Sequence, residues 1–178
     1  MYHLYAQSIS CRALLPDAAS RQFFLRLVDA ATDRYVWRVQ AYCLMTTHYH
    51  LLVTTEEENL GRGMQWLNGF YASTLNAVTE DRGHVFGARY GSRPVSTDAY
   101  LLEVLRYIAL NPVRAGLCSD PADWPWSSYR VIVRGLRPPP FLDVEFVLRL
   151  FSTRDGATAR RRFEAFVWDG MLLDVAAG

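Results

Sequence analysis

Two β-rich runs separated by two residues, each flanked by a stretch with helical periodicity, constrain this chain more than any other feature. Tyr35 to Met45 is dense in β-branched and aromatic side chains, Thr46-Thr47 interrupts it, and His48 to Thr54 resumes the same character. The spacing predicts a hairpin. Before it, Phe23, Phe24, Leu27, Val28 and Ala31 recur at helical spacing after the helix-start pair Pro16-Asp17. After it, Met64, Leu67, Phe70, Tyr71, Thr74 and Leu75 share one face of a helix from Leu60 to Val78. A first strand from Tyr2 to Ile9, a strand-like segment from His84 to Val95 and a helix opening at Ser96-Thr97-Asp98 give the order β-α-β-β-α-β-α. Pro112 is expected to end that third helix, because the residue before proline is pushed out of the α region. The expected class is α+β, with a mostly antiparallel sheet and helices packed on it.

With 178 residues and 51% apolar side chains, the chain can bury a full core. Residues 1–134 are expected to form the principal domain; the Gly/Pro stretch from Gly135 to Pro140 would lead into a helical extension, Val144 to Trp168, within 135–178. The net charge of +1 makes no overall electrostatic case for a nucleic-acid partner. All 19 basic residues are arginine, which a coding bias explains better than function does, although arginine also meets phosphates bidentately. Cys11, Cys43 and Cys118 form no CxxC pair and read as small buried hydrophobes. No secretory leader and no run of eighteen apolar residues is present, so a soluble, cytoplasmic protein without a membrane partner is expected.

His48 and His50 alternate along the second run of the hairpin, and residues two apart on a strand project from one face. They can aim two imidazoles at one point, although a lone His-x-His is often structural. Tyr107 and Asn111 lie four apart and share a helix face; read alone, the tyrosine could be core and the asparagine a helix C-terminal cap. Together the four suit metal-assisted cleavage of a phosphodiester. A tyrosine hydroxyl with an ordinary pKa of about 10 is a poor nucleophile, and a Lewis acid on the target phosphate makes it competent. Two imidazoles and an amide oxygen suit Mg²⁺ or Mn²⁺ better than a closed structural zinc. Arg82, His84, Phe86, Arg89, Tyr90 and Arg93 interleave cations with aromatic rings, as single-strand grooves do. Arg160-Arg161-Arg162 reads as a solvated face. Trp124, Trp126 and Tyr129 read as cover over the Tyr107 helix, and Tyr49, on the opposite strand face from the histidines, as core.

Four stretches carry a resemblance. They are Tyr42-Cys43-Leu44-Met45-Thr46-Thr47-His48-Tyr49-His50-Leu51-Leu52-Val53, Gly87-Ala88-Arg89-Tyr90, Arg106-Tyr107-Ile108-Ala109-Leu110-Asn111-Pro112-Val113-Arg114-Ala115-Gly116-Leu117 and Trp126-Ser127-Ser128-Tyr129. In this order the chain resembles the HUH-type single-tyrosine transposases of small bacterial insertion sequences, and within them the REP-associated relatives. The resemblance implies a ferredoxin-like fold and metal-dependent cutting of single-stranded DNA near a hairpin. Tyr107 would be the nucleophile, forming a 5′-phosphotyrosine, and His48, His50 and Asn111 the Mg²⁺ or Mn²⁺ ligands. Arg82, Arg89, Tyr90, Arg93 and Arg114 are the candidate DNA contacts. The chain departs from the family at Thr46-Thr47, where Pro-Asn is common, and at Tyr49, where an aliphatic residue is usual. Two other readings remain: a domesticated hairpin-binding protein with little or no cleavage, and a hydrolase of small phosphoesters that needs no Tyr107. A homodimer and a monomer are equally compatible with the sequence.

Overall fold

The computed structural model describes residues 1–9, 13–80 and 82–176; Cys11 and Asp81 lie outside them. Four strands, β1 (Tyr2–Gln7), β2 (Trp37–Leu44), β3 (His48–Thr55) and β4 (Gly91–Pro94), form one antiparallel sheet in the order β2-β3-β1-β4. The helices that follow β1 and β3, α1 (Ala18–Tyr35) and α2 (Leu60–Thr79), cover one face. This is the expected ferredoxin-like α+β arrangement. The third helix, α3 (Asp98–Arg114), lies on the other face with α4 (Ser128–Val133) and α6 (Gly156–Ala176). The eight-residue helix α5 (Val144–Phe151) precedes α6.

Strand alternation sorts the two faces. Leu4, Ala6, Tyr49, Leu51 and Val53 meet Phe24, Leu27, Met64 and Leu67 from α1 and α2. Ala41, Cys43 and Leu52 meet Leu101, Leu105, Ile108 and Ala109 of α3, and Phe163 and Val167 of α6 join that same cluster. Cys43 is buried and Cys118 half-buried, both free thiols. Tyr49 is fully buried: its ring lies 4.6 Å from that of Phe24, and its hydroxyl donates to Asn68 Oδ1 at 2.6 Å. Tyr49→Phe should therefore keep the fold and cost about 1 kcal/mol of stability, measured by denaturant unfolding. Unchanged stability would remove the Tyr49 hydroxyl from the packing role.

Capping explains the helix starts. Asp17 and Ser20 form a capping box at α1, and Thr97 accepts from the Tyr100 N–H at α3. Four sequence expectations need correction. Tyr35 ends α1 instead of opening β2, because Val36 turns the chain with a left-handed φ of 53°. Of the segment from His84 to Val95, Gly91–Pro94 is strand, while Phe86 makes a single bridge to Ser8. Pro112 does not end α3, which continues to Arg114. Proline removes one N–H, and the final turn closes around it: Ala115 N–H donates to Asn111 O and Leu117 N–H to Pro112 O. Lastly, the tail is two helices, not one, because Ser152 leaves α5 in an extended conformation with φ −166° and ψ 142°.

The edge strand β2 is covered by later chain. Leu44 N–H donates to Trp126 O, Tyr42 N–H to Ser128 Oγ and Trp124 Nε1–H to Leu44 O. These bonds occupy groups that would otherwise template pairing with another chain. They also tie the segment after α3 to the hairpin. Trp124 and Tyr129 do pack with α3, whereas Trp126 packs with the other core cluster.

Candidate active site

The hairpin turn is pinned before it delivers its histidines. The carbonyl of Thr46 accepts from the Leu14 and Leu15 N–H groups, and that of Thr47 from Ser8. Arg21, buried and stacked 5.5 Å from the Trp124 ring centroid, donates to Thr46 Oγ1 at 3.2 Å. From this anchor, β3 projects His48 and His50 onto the α3 face.

Matching repeats bring four side chains together. Two residues of strand rise about 6.6 Å, and one four-residue helical step rises about 6 Å. His48 and His50 therefore align with Asn111 and Tyr107. His48 Nε2 lies 3.0 Å from Asn111 Oδ1, and the His50 and Tyr107 ring centroids are 5.2 Å apart, edge to face. Tyr107 is 40% exposed, whereas Asn111 and His50 are buried. The buried face of α3, from Leu101 to Ile108, holds the helix at this height over the sheet.

Beside Tyr107 opens a cavity of about 440 Å³ lined by His3, Tyr5, His50, Arg93, Glu103, Arg106 and Arg114 among others. Arg114 lies 5.5 Å from the Tyr107 ring centroid, and Arg106 pairs with Glu103 at 3.0 Å while stacking 3.8 Å over Phe166. The cavity wall thus carries three guanidinium groups and one carboxylate, of which Arg106 and Glu103 pair with each other. Gly91 is required here because a Cβ would fall 2.2 Å from the Tyr5 ring. Arg89 and Tyr90 line a separate groove with Phe86, Gln65 and Asn68, and Arg82 lies beside Glu80 at a third place. The candidate DNA contacts thus divide: Arg93 and Arg114 flank Tyr107, and the other three do not.

His3 and Tyr5 escaped the sequence reading. Both project from β1 on the histidine face; Tyr5 pairs with His50 in register, and His3 Nε2 lies 3.1 Å from His50 Nδ1. The signal was present as a histidine and a tyrosine two apart in the first strand.

Burial, with help from the neighbouring His3 and His48, lowers the His50 pKa from 6.5 to about 3. Burial and then Arg93 lower that of His3 from 6.5 to about 4. Both rings are therefore neutral near pH 7. The unfolded chain binds these protons first on acidification, so the metal-free protein should lose stability as pH falls from 6.5 toward 4. Thermal melts across that window check this; a Tm that holds flat would contradict the buried neutral pair.

The donor set fits an open divalent-ion site. Ligands about 2.1 Å from one ion and at right angles sit about 3.0 Å apart, and His48 Nε2 and Asn111 Oδ1 have that separation, 3.0 Å. His50 Nε2 is buried and, among the described residues, without a hydrogen-bond partner. Among the described residues, no three His, Cys, Asp or Glu side chains converge. Two imidazoles and an amide oxygen leave positions for water or phosphate oxygens, as Mg²⁺ and Mn²⁺ sites do.

Residues 1–111 match the profile of the IS200-like transposases. The chain belongs to that family. It is accordingly a DNA-binding enzyme of the transposase and nuclease kind, whose family acts in DNA transposition and recombination. No curated protein matches it significantly. Among solved structures, this transposase is similar to a REP-associated tyrosine transposase bound to a REP hairpin. The TM-score is 0.65 at 16% identity, covering 77% of this chain and 81% of that one, which places the fold. A Deinococcus radiodurans R1 protein described as a transposase gives a TM-score of 0.46 at 18% identity, over 60% and 86% of the two chains. Among the described residues, no helix is long and apolar enough to cross a membrane.

Proposed function

We propose that this transposase is a metal-dependent single-strand DNA transesterase that cuts beside a hairpin through Tyr107. One observation carries the reading: the exposed Tyr107 hydroxyl-bearing ring stands over His50 in an arginine-lined cavity, one helical turn from Asn111 and His48. In the reaction the Tyr107 oxygen attacks phosphorus and loses its proton to solvent through the open cavity. The P–O3′ bond breaks as the tyrosine–phosphorus bond forms, and the departing 3′-oxygen takes up a proton. The product is a 5′-phosphotyrosine with a free 3′-OH, and the phosphodiester energy is kept for rejoining.

Arg93 and Arg114 hold the phosphate against Tyr107 by charge and bidentate hydrogen bonding. His48, His50 and Asn111 would hold Mg²⁺ or Mn²⁺, which supplies Lewis-acid polarisation of the phosphate when bound. The solved relative's REP hairpin supports a DNA hairpin as partner. The Phe86–Tyr90 groove beside α2, with half-buried aromatic rings next to exposed Arg89, suits a stretch of single-stranded DNA. Arg82 would add a phosphate contact further along.

The test is incubation with Mn²⁺ and labelled single-stranded hairpin oligonucleotides, with EDTA as control. Metal-dependent cleavage leaving a 3′-OH is the expected result. Tight binding with no cleavage in any divalent ion would replace this reading with the hairpin-binding one. Arg89→Ala should weaken oligonucleotide binding and reduce the slope of log Kd against log salt by about 0.7, one single-strand phosphate contact. An unchanged slope would remove Arg89 from the DNA path.

A further inference from the structure

We infer that His3 is a positioning residue: its Nε2 accepts the Nδ1–H of His50 and so fixes that imidazole with an Nε2 lone pair available to a divalent ion. The inference rests on the metal-dependent reading above and goes beyond it by giving a role to a residue outside the His-x-His pair.

A neutral imidazole carries one proton, and the partner of one nitrogen decides the state of the other. His50 Nδ1 has one close partner, His3 Nε2 at 3.1 Å, while its Nε2 is buried with none. If the proton sat on Nε2, a buried N–H would be left unpaired and would oppose a cation. If it sits on Nδ1, it is satisfied by His3, and a lone pair is presented instead. His48 differs: its Nδ1 lies 3.1 Å from Thr47 Oγ1, and its Nε2 lies 3.0 Å from Asn111 Oδ1, an acceptor to which an Nε2–H would donate. His50 is thus the histidine tied at Nδ1 with a buried, unpartnered Nε2 among the described residues. Hydrogen bonds of this kind to the second nitrogen orient metal-binding imidazoles.

The sheet explains why His3 can reach. Tyr5 stands opposite His50, so His3 is its diagonal neighbour on the same face. Its ring is wedged between those of Tyr5 at 5.6 Å and Tyr107 at 5.7 Å, and it is only 7% exposed. A leucine would fill this space without burying a polar ring. An imidazole there is explained by its hydrogen bond.

The first readout needs no variant. Nitrogen-15 NMR of the metal-free wild-type protein should show His50 as the Nδ1–H tautomer; a dominant Nε2–H form overturns the inference. Mn²⁺ titration by EPR of the full chain then compares wild type, His3→Leu and His3→Gln. His3→Leu should weaken Mn²⁺ binding about 10–100-fold, with hairpin binding in EDTA unchanged. His3→Gln, whose Oε1 can accept the same proton, should recover affinity to within about threefold of wild type, the rescue expected of a positioning role. Equal affinity in His3→Leu, or no rescue by His3→Gln, contradicts it. Pulsed EPR should count two imidazole nitrogens on the ion in wild type; three would make His3 a ligand. Should wild type bind no Mn²⁺ at all, the metal-dependent reading fails too, whereas failure confined to the variants touches His3 alone.

Discussion

Tyr107→Phe should abolish the covalent protein–DNA adduct while leaving hairpin binding and the melting temperature close to wild type. The substitution removes one oxygen from a ring that is 40% exposed and keeps its contacts with His3, His50 and Arg114. No second hydroxyl stands ready to replace it. Tyr5 lines the same cavity, but the outer end of its ring covers Gly91 in the sheet, where a Cβ would fall 2.2 Å from it. Tyr100 also lines the cavity about two helical turns before Tyr107, and its side chain hydrogen-bonds with Arg93. The expected loss in a denaturing-gel assay is complete within detection. Retained cleavage without an adduct would instead point to water as the nucleophile and to a hydrolase.

His48→Ala should reduce cleavage at least about a thousandfold, because the chemistry supplied by a bound ion is worth several kcal/mol and each 1.36 kcal/mol is tenfold in rate. Oligonucleotide binding should stay within a few-fold, since the arginines around the cavity do not depend on it. The stability cost should be modest, about 1 kcal/mol: His48 is half-buried, and its bonds to Thr47 and Asn111 are the interactions lost. Excess Mn²⁺ should restore part of the activity if Asn111 and His50 still hold the ion. A variant that loses hairpin binding in parallel with cleavage would show His48 to be structural.

The ferredoxin-like order was legible because each element declared itself by period. The alternation through His48–Val53 and the helical spacing of Phe24, Leu27, Val28 and Ala31 left little choice. So was the family, through blocks in which spacing and chemistry coincide. What the sequence hid were features that depend on neighbours distant in the chain. The path of α3 through Pro112 is decided by hydrogen bonds from Ala115 and Leu117, which local propensity at Asn111 does not reveal. The break in the tail depends on the extended residue Ser152, in a segment whose apolar spacing otherwise runs on. His3 was missed for a similar reason: nothing in Tyr2-His3-Leu4 says that the strand lies beside His50 and not at a sheet edge. The division of the arginines was equally invisible. Arg89 and Arg93 are four residues apart, yet one lines the Phe86 groove and the other the Tyr107 cavity.

The proposed chemistry turns on Tyr107 joining DNA covalently. The direct measurement is peptide mass spectrometry of the wild-type protein trapped with a hairpin oligonucleotide in Mn²⁺, digested with nuclease and protease. A nucleotide-phosphate mass is expected on the peptide bearing Tyr107, located at that side chain by fragmentation. A stable adduct on any other residue, Tyr5 or Tyr100 included, would contradict it.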